Sequence, residues 1–186
     1  MIKTGYIYLY YGTGGGKTTN ALGLAFRSVG HRHKVVVVQF MKWYKETGEY
    51  KIRDMISDFY EIHQFGRPGW LKLGKEDSIV ESAFLTRKPS EEDKKAAREG
   101  LDFAQRKLRE GQTDLLILDE LCLAVKSELL TISSVLDILE IIPEKTTVVL
   151  TGRYASKELI DRAEFVNEIV EIKAPIKFVT DEGIQY

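Results

Sequence analysis

Eight consecutive residues carry the densest chemistry in this sequence: Gly12-Thr13-Gly14-Gly15-Gly16-Lys17-Thr18-Thr19. Glycines reach backbone angles closed to other residues and let a ligand approach the main chain. A turn built from them can aim several N–H groups at one point. A helix starting at its far end adds partial positive charge there. Lys17 then supplies an ammonium for terminal phosphate charge, and the Thr18 hydroxyl a ligand for Mg²⁺. The usual phosphate loop places four residues between its outer glycines. Gly12 and Gly16 enclose only three, and Tyr11 stands where the first glycine would fall. A plain glycine-rich hairpin would account for the turn, but not for Lys-Thr-Thr opening an amphipathic run, so the segment reads as the loop of a nucleotide site.

A second acidic site follows an apolar run. Leu115-Leu116-Ile117-Leu118 ends in Asp119-Glu120. In α/β sheets ligands bind at the carboxyl ends of strands, so either carboxylate is a candidate Mg²⁺ ligand, directly or through water. Arg153 ends a third apolar run, at residues 147–150, in the same way. An arginine there is suited to clamp a phosphate, and equally to form a surface ion pair. Cys122 sits among Leu121, Leu123 and Ala124 and reads as a small buried residue rather than a nucleophile. His31 and His33 fall at a helix–strand connection and read as solvent-facing turn residues.

These groups need elements to position them. Residues 6–11 are aromatic and β-prone, and the run stops at Gly12. Ala21, Leu22, Leu24, Ala25 and Val29 recur at helical spacing before Gly30. Val35-Val36-Val37-Val38 has the character of a strand covered on both faces. A helix is expected over 50–59 and a short strand over 60–64, while 66–89 shows no sustained period. Ser90 reads as an N-cap, with Glu91, Glu92 and Asp93 suiting a helix start. That helix shows Ala97, Leu101, Ala104 and Leu108 on one face and ends at Gly111. Ile132, Val135, Leu136 and Leu139 form another amphipathic face before Pro143. Ser156 caps a short helix, and the last strand is expected over 168–172. Strands alternating with helices argue an α/β fold with a mostly parallel sheet flanked by helices. With the loop in place, this is a P-loop NTPase-like, RecA-like three-layer sandwich.

With 186 residues the chain suits one nucleotide-binding domain spanning 1–186. A net charge of −1 gives no overall field to attract nucleic acid or an anionic membrane. One cysteine excludes an intrachain disulfide and fits a reducing cytosol. No charged-then-apolar leader and no run of roughly 20 apolar residues is present, so a cytoplasmic protein without membrane spans is expected.

Taken in order, these residues resemble the ATP:corrinoid adenosyltransferases of the P-loop class. The short glycine spacing followed by Lys-Thr-Thr is part of the resemblance. So are Gly23-Leu24-Ala25, Arg27, Val29-Gly30-His31 and Val37-Val38-Gln39-Phe40-Met41-Lys42. Residues 116–121, Val149-Leu150-Thr151-Gly152-Arg153 and Gly183-Ile184-Gln185-Tyr186 complete the set. The resemblance implies that a corrinoid such as cobalamin, reduced to Co(I), attacks C5′ of ATP and that intact triphosphate leaves. It implies Mg²⁺ on Thr18 and Glu120, and ATP held in the opposite sense to most P-loop hydrolases. Lys17, Glu120 and Arg153 become the catalytic candidates, with residues 12–19 around the nucleotide. Phe40 and Met41, with Trp43, Tyr44 and Phe65, become candidates for the corrin surface. Trp70 is similar to a family tryptophan beneath the corrin, although Pro68 stands where the family carries an aromatic. An electron-donating flavoprotein partner and a homodimer also follow from the resemblance. Residues 173–179 lack the family's histidine and its Gly-Ile-Lys-Ala-Gln stretch.

The residues by themselves leave two other readings open. An acidic pair after a strand also serves P-loop ATPases and small-molecule kinases, where the glutamate activates water. A non-catalytic module that binds ATP or a corrinoid would need the loop alone.

Overall fold

A computed structural model of the chain describes residues 5–56, 58–68, 88–175 and 181–184. The apolar runs become strands β1 (Ile7–Tyr11), β2 (Val35–Phe40), β3 (Tyr60–Phe65), β4 (Leu115–Asp119), β5 (Thr147–Gly152) and β6 (Phe165–Glu168). They pair in the order β3-β2-β4-β5-β1-β6, every pairing parallel. Side chains alternate across the sheet as the strand period requires. Ile7, Leu9, Val36, Val38, Leu116, Leu118, Val148 and Leu150 enter one core layer. Tyr10, Val35, Val37, Leu115, Ile117 and Val149 enter the other.

Helices cover both faces. α1 (Lys17–Gly30) and α2 (Gly48–Lys51) lie on one side, where Ala21, Ala25 and Tyr50 join the second layer. On the other side lie α3 (Glu91–Glu110), α4 (Leu121–Lys126), α5 (Ile132–Leu139) and α6 (Lys157–Arg162). The α/β, P-loop NTPase-like expectation holds, with a sheet that is parallel throughout among the described residues. No helix among those residues is long and apolar enough to cross a membrane.

Three expectations change. The helix expected over 50–59 is only α2 followed by a 3₁₀ turn at Ile52–Asp54. The Tyr60 hydroxyl donates to the Glu49 carbonyl at 3.1 Å, taking the acceptor that a continuing helix would offer to Arg53. Among the described residues the last strand is β6, Phe165–Glu168, not 168–172. Phe165 stacks on Tyr8 with centroids 4.2 Å apart, and Glu164 accepts the Ile7 N–H at 2.7 Å, which sets the register early. β6 is an exposed edge strand, so it carries no apolar alternation to read. β3 runs one residue beyond the strand expected over 60–64, taking in Phe65, which packs against Phe103 of α3.

Ser90 caps α3 as expected. Its hydroxyl accepts the Asp93 N–H at 3.2 Å, and the Asp93 carboxylate accepts the Ser90 N–H at 2.9 Å. Arg67, just beyond β3, pairs with Asp93 and ties the two elements together. Burial alone would raise the Asp93 carboxyl, but Arg67 and Ser90 hold it below its ordinary range. A depressed carboxyl stabilises the fold above the unfolded value of about 3.9 and loses that effect as pH falls through the folded one. Asp93→Ala should therefore cost about 1–2 kcal/mol in urea unfolding at pH 7. The gap between variant and parent should close as pH drops below about 4.

Candidate active site

Because the strands are parallel, the carboxyl ends of β1, β2, β4 and β5 share one edge of the sheet. β4 lies between β2 and β5, and Gln39 is in register with Asp119. Leu118 is in register with Leu150, so Thr151 follows at the level of Asp119. Three polar residues that end three buried strands thus meet side by side.

Asp119 is fully buried and saturated. Its Oδ1 accepts from the hydroxyls of Thr18 at 2.8 Å and Thr151 at 2.7 Å. Its Oδ2 accepts from Lys42 Nζ at 2.8 Å and Gln39 Nε2 at 3.0 Å. Gln39 also donates to Glu49 at 3.2 Å, and Gln64 donates to Gln39 at 3.0 Å. Burial pushes the Asp119 carboxyl up, but Lys42 and the two threonines outweigh that and hold it below its ordinary range.

Glu120 is held differently. It sits at φ 60°, in the left-handed region, as the residue before α4, and its N–H donates to Thr151 Oγ1 at 2.9 Å. Its Oε2 is buried and has no partner among the described residues. Burial and the neighbouring Asp119 charge raise its carboxyl, while Lys42, Lys17 and Arg153 act against them. A buried acceptor left unmade costs about 1–3 kcal/mol, so the position fits a cation that arrives with substrate. Among the described residues no three His, Cys, Asp or Glu side chains stand close enough to hold a metal by themselves. Mg²⁺ commonly takes one or two protein ligands plus phosphate oxygens, and Thr18 with Glu120 suits that donor set.

The loop itself is shaped partly by the chain that follows β6. Ile169 donates to the Tyr11 carbonyl at 2.7 Å, and the Gly14 N–H donates to the Ile169 carbonyl at 2.9 Å. A Cβ on Gly12, at φ 116°, would stand 2.4 Å from the Ile169 carbonyl oxygen, and one on Gly14 2.8 Å from the Val170 carbonyl carbon. These two glycines are therefore required by the crossing backbone. Thr13, Gly15, Gly16 and Thr19 face outward. Gly16 is the left-handed N-cap of α1 and makes no side-chain cap, which leaves the helix start for a ligand. Lys17 is buried and folds back over the loop, its Nζ 2.6 Å from the Gly14 carbonyl. Arg153 follows β5 directly, half-buried, close enough to be felt at Glu120.

Residues 3–186 match the model of the family described as ATP:corrinoid adenosyltransferase BtuR/CobO/CobP. The chain belongs to the ATP:corrinoid adenosyltransferase family. It is 33% identical to a corrinoid adenosyltransferase of Escherichia coli K12 over 184 residues, covering 98% of this chain and 83% of that protein. Corrinoid adenosyltransferase CobA of Salmonella typhimurium LT2 is 31% identical with the same coverage. The corrinoid adenosyltransferase of Pseudomonas aeruginosa PAO1 is 29% identical over 187 residues, covering 99% of this chain and 85% of its own. The adenosyltransferase is therefore a transferase whose substrates are ATP and a corrinoid.

The residues expected at the corrin surface separate in this adenosyltransferase. Phe40 has no exposed surface and packs into the core beneath α3, where a Cβ on Gly100 would meet its ring at 3.0 Å. It supports the site from below and presents nothing to a ligand, because β2 directs alternate side chains toward α3. Met41 is also buried, at φ 62°, with its N–H donating to the Phe65 carbonyl at 2.9 Å. Trp43 is half-buried and Tyr44 exposed. Trp70 lies outside the described residues, as does the rest of 69–87. Cys122 is buried, which pushes its thiol up to about 12 and leaves it inert. His31 and His33 are exposed beside the turn after α1.

Sequence reading missed Gln39, Lys42, Glu49 and Thr151. A signal was there: Gln39 and Thr151 are polar residues ending runs otherwise apolar. Their meeting at Asp119 needs the strand order.

Proposed function

We propose that this corner transfers the 5′-deoxyadenosyl group of ATP to the cobalt of a reduced corrinoid. The observation that carries the residue assignment is the division at the end of β4: Asp119 is saturated, while Glu120 keeps one buried oxygen without a partner among the described residues. Co(I) attacks C5′, a Co–C bond forms, the bond from C5′ to the α-phosphate oxygen breaks, and triphosphate leaves with the electron pair. The nucleophile has no proton to lose, so Glu120 need not act as a base.

The protein's work is then to hold and shield. Lys17, Arg153 and the N–H groups at the start of α1 grip the triphosphate and steady the charge it gains. Thr18 and Glu120 are the protein ligands of Mg²⁺, which when bound supplies charge neutralisation to the leaving group. Asp119 serves behind them by orienting Thr18 and Thr151. The resemblance supports Met41, Trp43, Tyr44 and Trp70 as neighbours of the corrin, and Trp70 as the tryptophan the family carries beneath it. The whole works as one nucleotide-binding domain. The resemblance supports a flavoprotein electron donor and a homodimer, and the single buried thiol fits the cytoplasm.

The test is to incubate the protein with MgATP and chemically reduced cobalamin. The light-sensitive alkylcobalamin spectrum and free triphosphate should appear in equal amounts. ADP and orthophosphate without alkyl product would instead identify a hydrolase in which Glu120 activates water. ATP binding with neither product would identify a carrier.

A further inference from the structure

Lys42 has no part in the chemistry described so far, yet it is the cation at the centre of the polar network. Its Nζ lies 2.8 Å from Asp119 Oδ2 and 3.8 Å from Glu49 Oε1. Its side chain is 22% exposed, while that of Asp119 is wholly buried. Two paths lead outward from this pair. Through Asp119 Oδ1 the first reaches the Thr18 hydroxyl. The second runs through Asp119 Oδ1 to Thr151, whose Oγ1 accepts the Glu120 N–H. The first path commits the Thr18 hydrogen to Asp119 and leaves the hydroxyl lone pairs for a cation. The second holds Glu120 in its left-handed conformation, from which its carboxylate reaches the same corner.

We propose that Lys42 is a positioning residue that sets both protein ligands of the metal–triphosphate, Thr18 and Glu120, through the single carboxylate of Asp119. The proposal rests on the reading of Thr18 and Glu120 as the Mg²⁺ ligands. Stability alone is a poor reason for the pair, since removing two charges from water offsets most of their attraction. Orientation is what a neutral pair would lose. Without the ammonium, Asp119 Oδ2 keeps only Gln39, and the carboxylate faces Glu49 with nothing between them to balance the charge. It then has no reason to keep Oδ1 aimed at Thr18 and Thr151. Lys42 acts apart from Lys17, which lies over the loop against Gly14.

The experiment is calorimetric titration of ATP at graded Mg²⁺, with tripolyphosphate titrated in EDTA as the control. In Lys42→Met the Mg²⁺ needed for half-maximal tightening of ATP should rise about tenfold or more, as for loss of an outer-layer partner at a metal site. Tripolyphosphate in EDTA should bind as in the parent protein, because Lys17 and the loop are untouched. Lys42→Arg should restore most of the Mg²⁺ response. Lys42→Gln keeps a donor without the charge, should show a smaller rise, and serves if the methionine variant does not fold. An unchanged Mg²⁺ midpoint in both neutral variants would overturn the proposal. So would equal weakening with and without Mg²⁺, which marks general damage or direct phosphate contact. If the parent protein itself shows no Mg²⁺ response, the metal assignment falls and this proposal with it. A parent that responds beside a methionine variant that responds equally removes only the link through Lys42.

Discussion

Glu120→Gln should lower adenosyl transfer by about 10²–10³-fold while leaving the fold as stable as before or more so. Oε2 is buried and without a partner among the described residues, and burial beside Asp119 disfavours its charge. A neutral amide is cheaper to bury than a carboxylate. Thermal unfolding in Mg²⁺-free buffer should therefore show no loss, and a gain of up to about 2–4 °C for each kcal/mol relieved. The pH dependence has a definite sign. A carboxyl whose folded value is raised above the ordinary one of about 4.3 favours folding when protonated. Stability of the parent protein should then decline as pH rises through the window between those two values, and the glutamine variant should lack that slope. Retained activity, or a fall of several degrees in melting temperature, would show that Glu120 is structural.

The neighbouring carboxylate should behave in the opposite way. Asp119→Ala leaves the Lys42 ammonium without its closest counter-charge and strips an acceptor from Thr18, Thr151 and Gln39. Breaking a buried pair by removing one partner costs about 3–5 kcal/mol, which corresponds to roughly 6–20 °C here. The loss should be visible by chemical denaturation without any substrate. Adding Lys42→Met to Asp119→Ala should recover part of it, since the two charges disappear together, and a double-mutant cycle measures that coupling. Simple additivity of the two substitutions would mean that the pair seen at 2.8 Å contributes nothing. Two adjacent acidic residues thus differ in their surroundings: Asp119 is saturated, while Glu120 keeps a buried oxygen without a partner among the described residues, and the two variants test whether their roles differ in the same way.

From the residue types alone these two carboxylates were equivalent candidates for the metal, and only the family resemblance favoured Glu120. What separated them was packing. Asp119 completes β4 and is bonded by residues of β2 and β5, whereas Glu120 leaves the strand at φ 60° and keeps Oε2 without a partner among the described residues. The same holds for the loop glycines, of which Gly12 and Gly14 answer to residues 169–171 on a segment more than 150 positions away. Phe40 shows the same dependence: the resemblance offered it as corrin surface, and the structure buries it wholly beneath α3.

What the order of residues determined alone is the local chemistry: a glycine turn before Lys-Thr-Thr, apolar runs of strand length closed by polar residues, and an N-cap at Ser90. These depend on backbone freedom, side-chain period and groups three residues apart, all of which are short-range. The strand order β3-β2-β4-β5-β1-β6 depends instead on which buried faces fit together, and nothing within one segment encodes its neighbour. That order, with the loop and helix that follow β1 and the turn that follows β2, brings Thr18, Gln39, Lys42, Asp119 and Thr151 within hydrogen-bond reach, so the tertiary structure decided which polar residues share a corner and which buried oxygen there is left without a partner among the described residues.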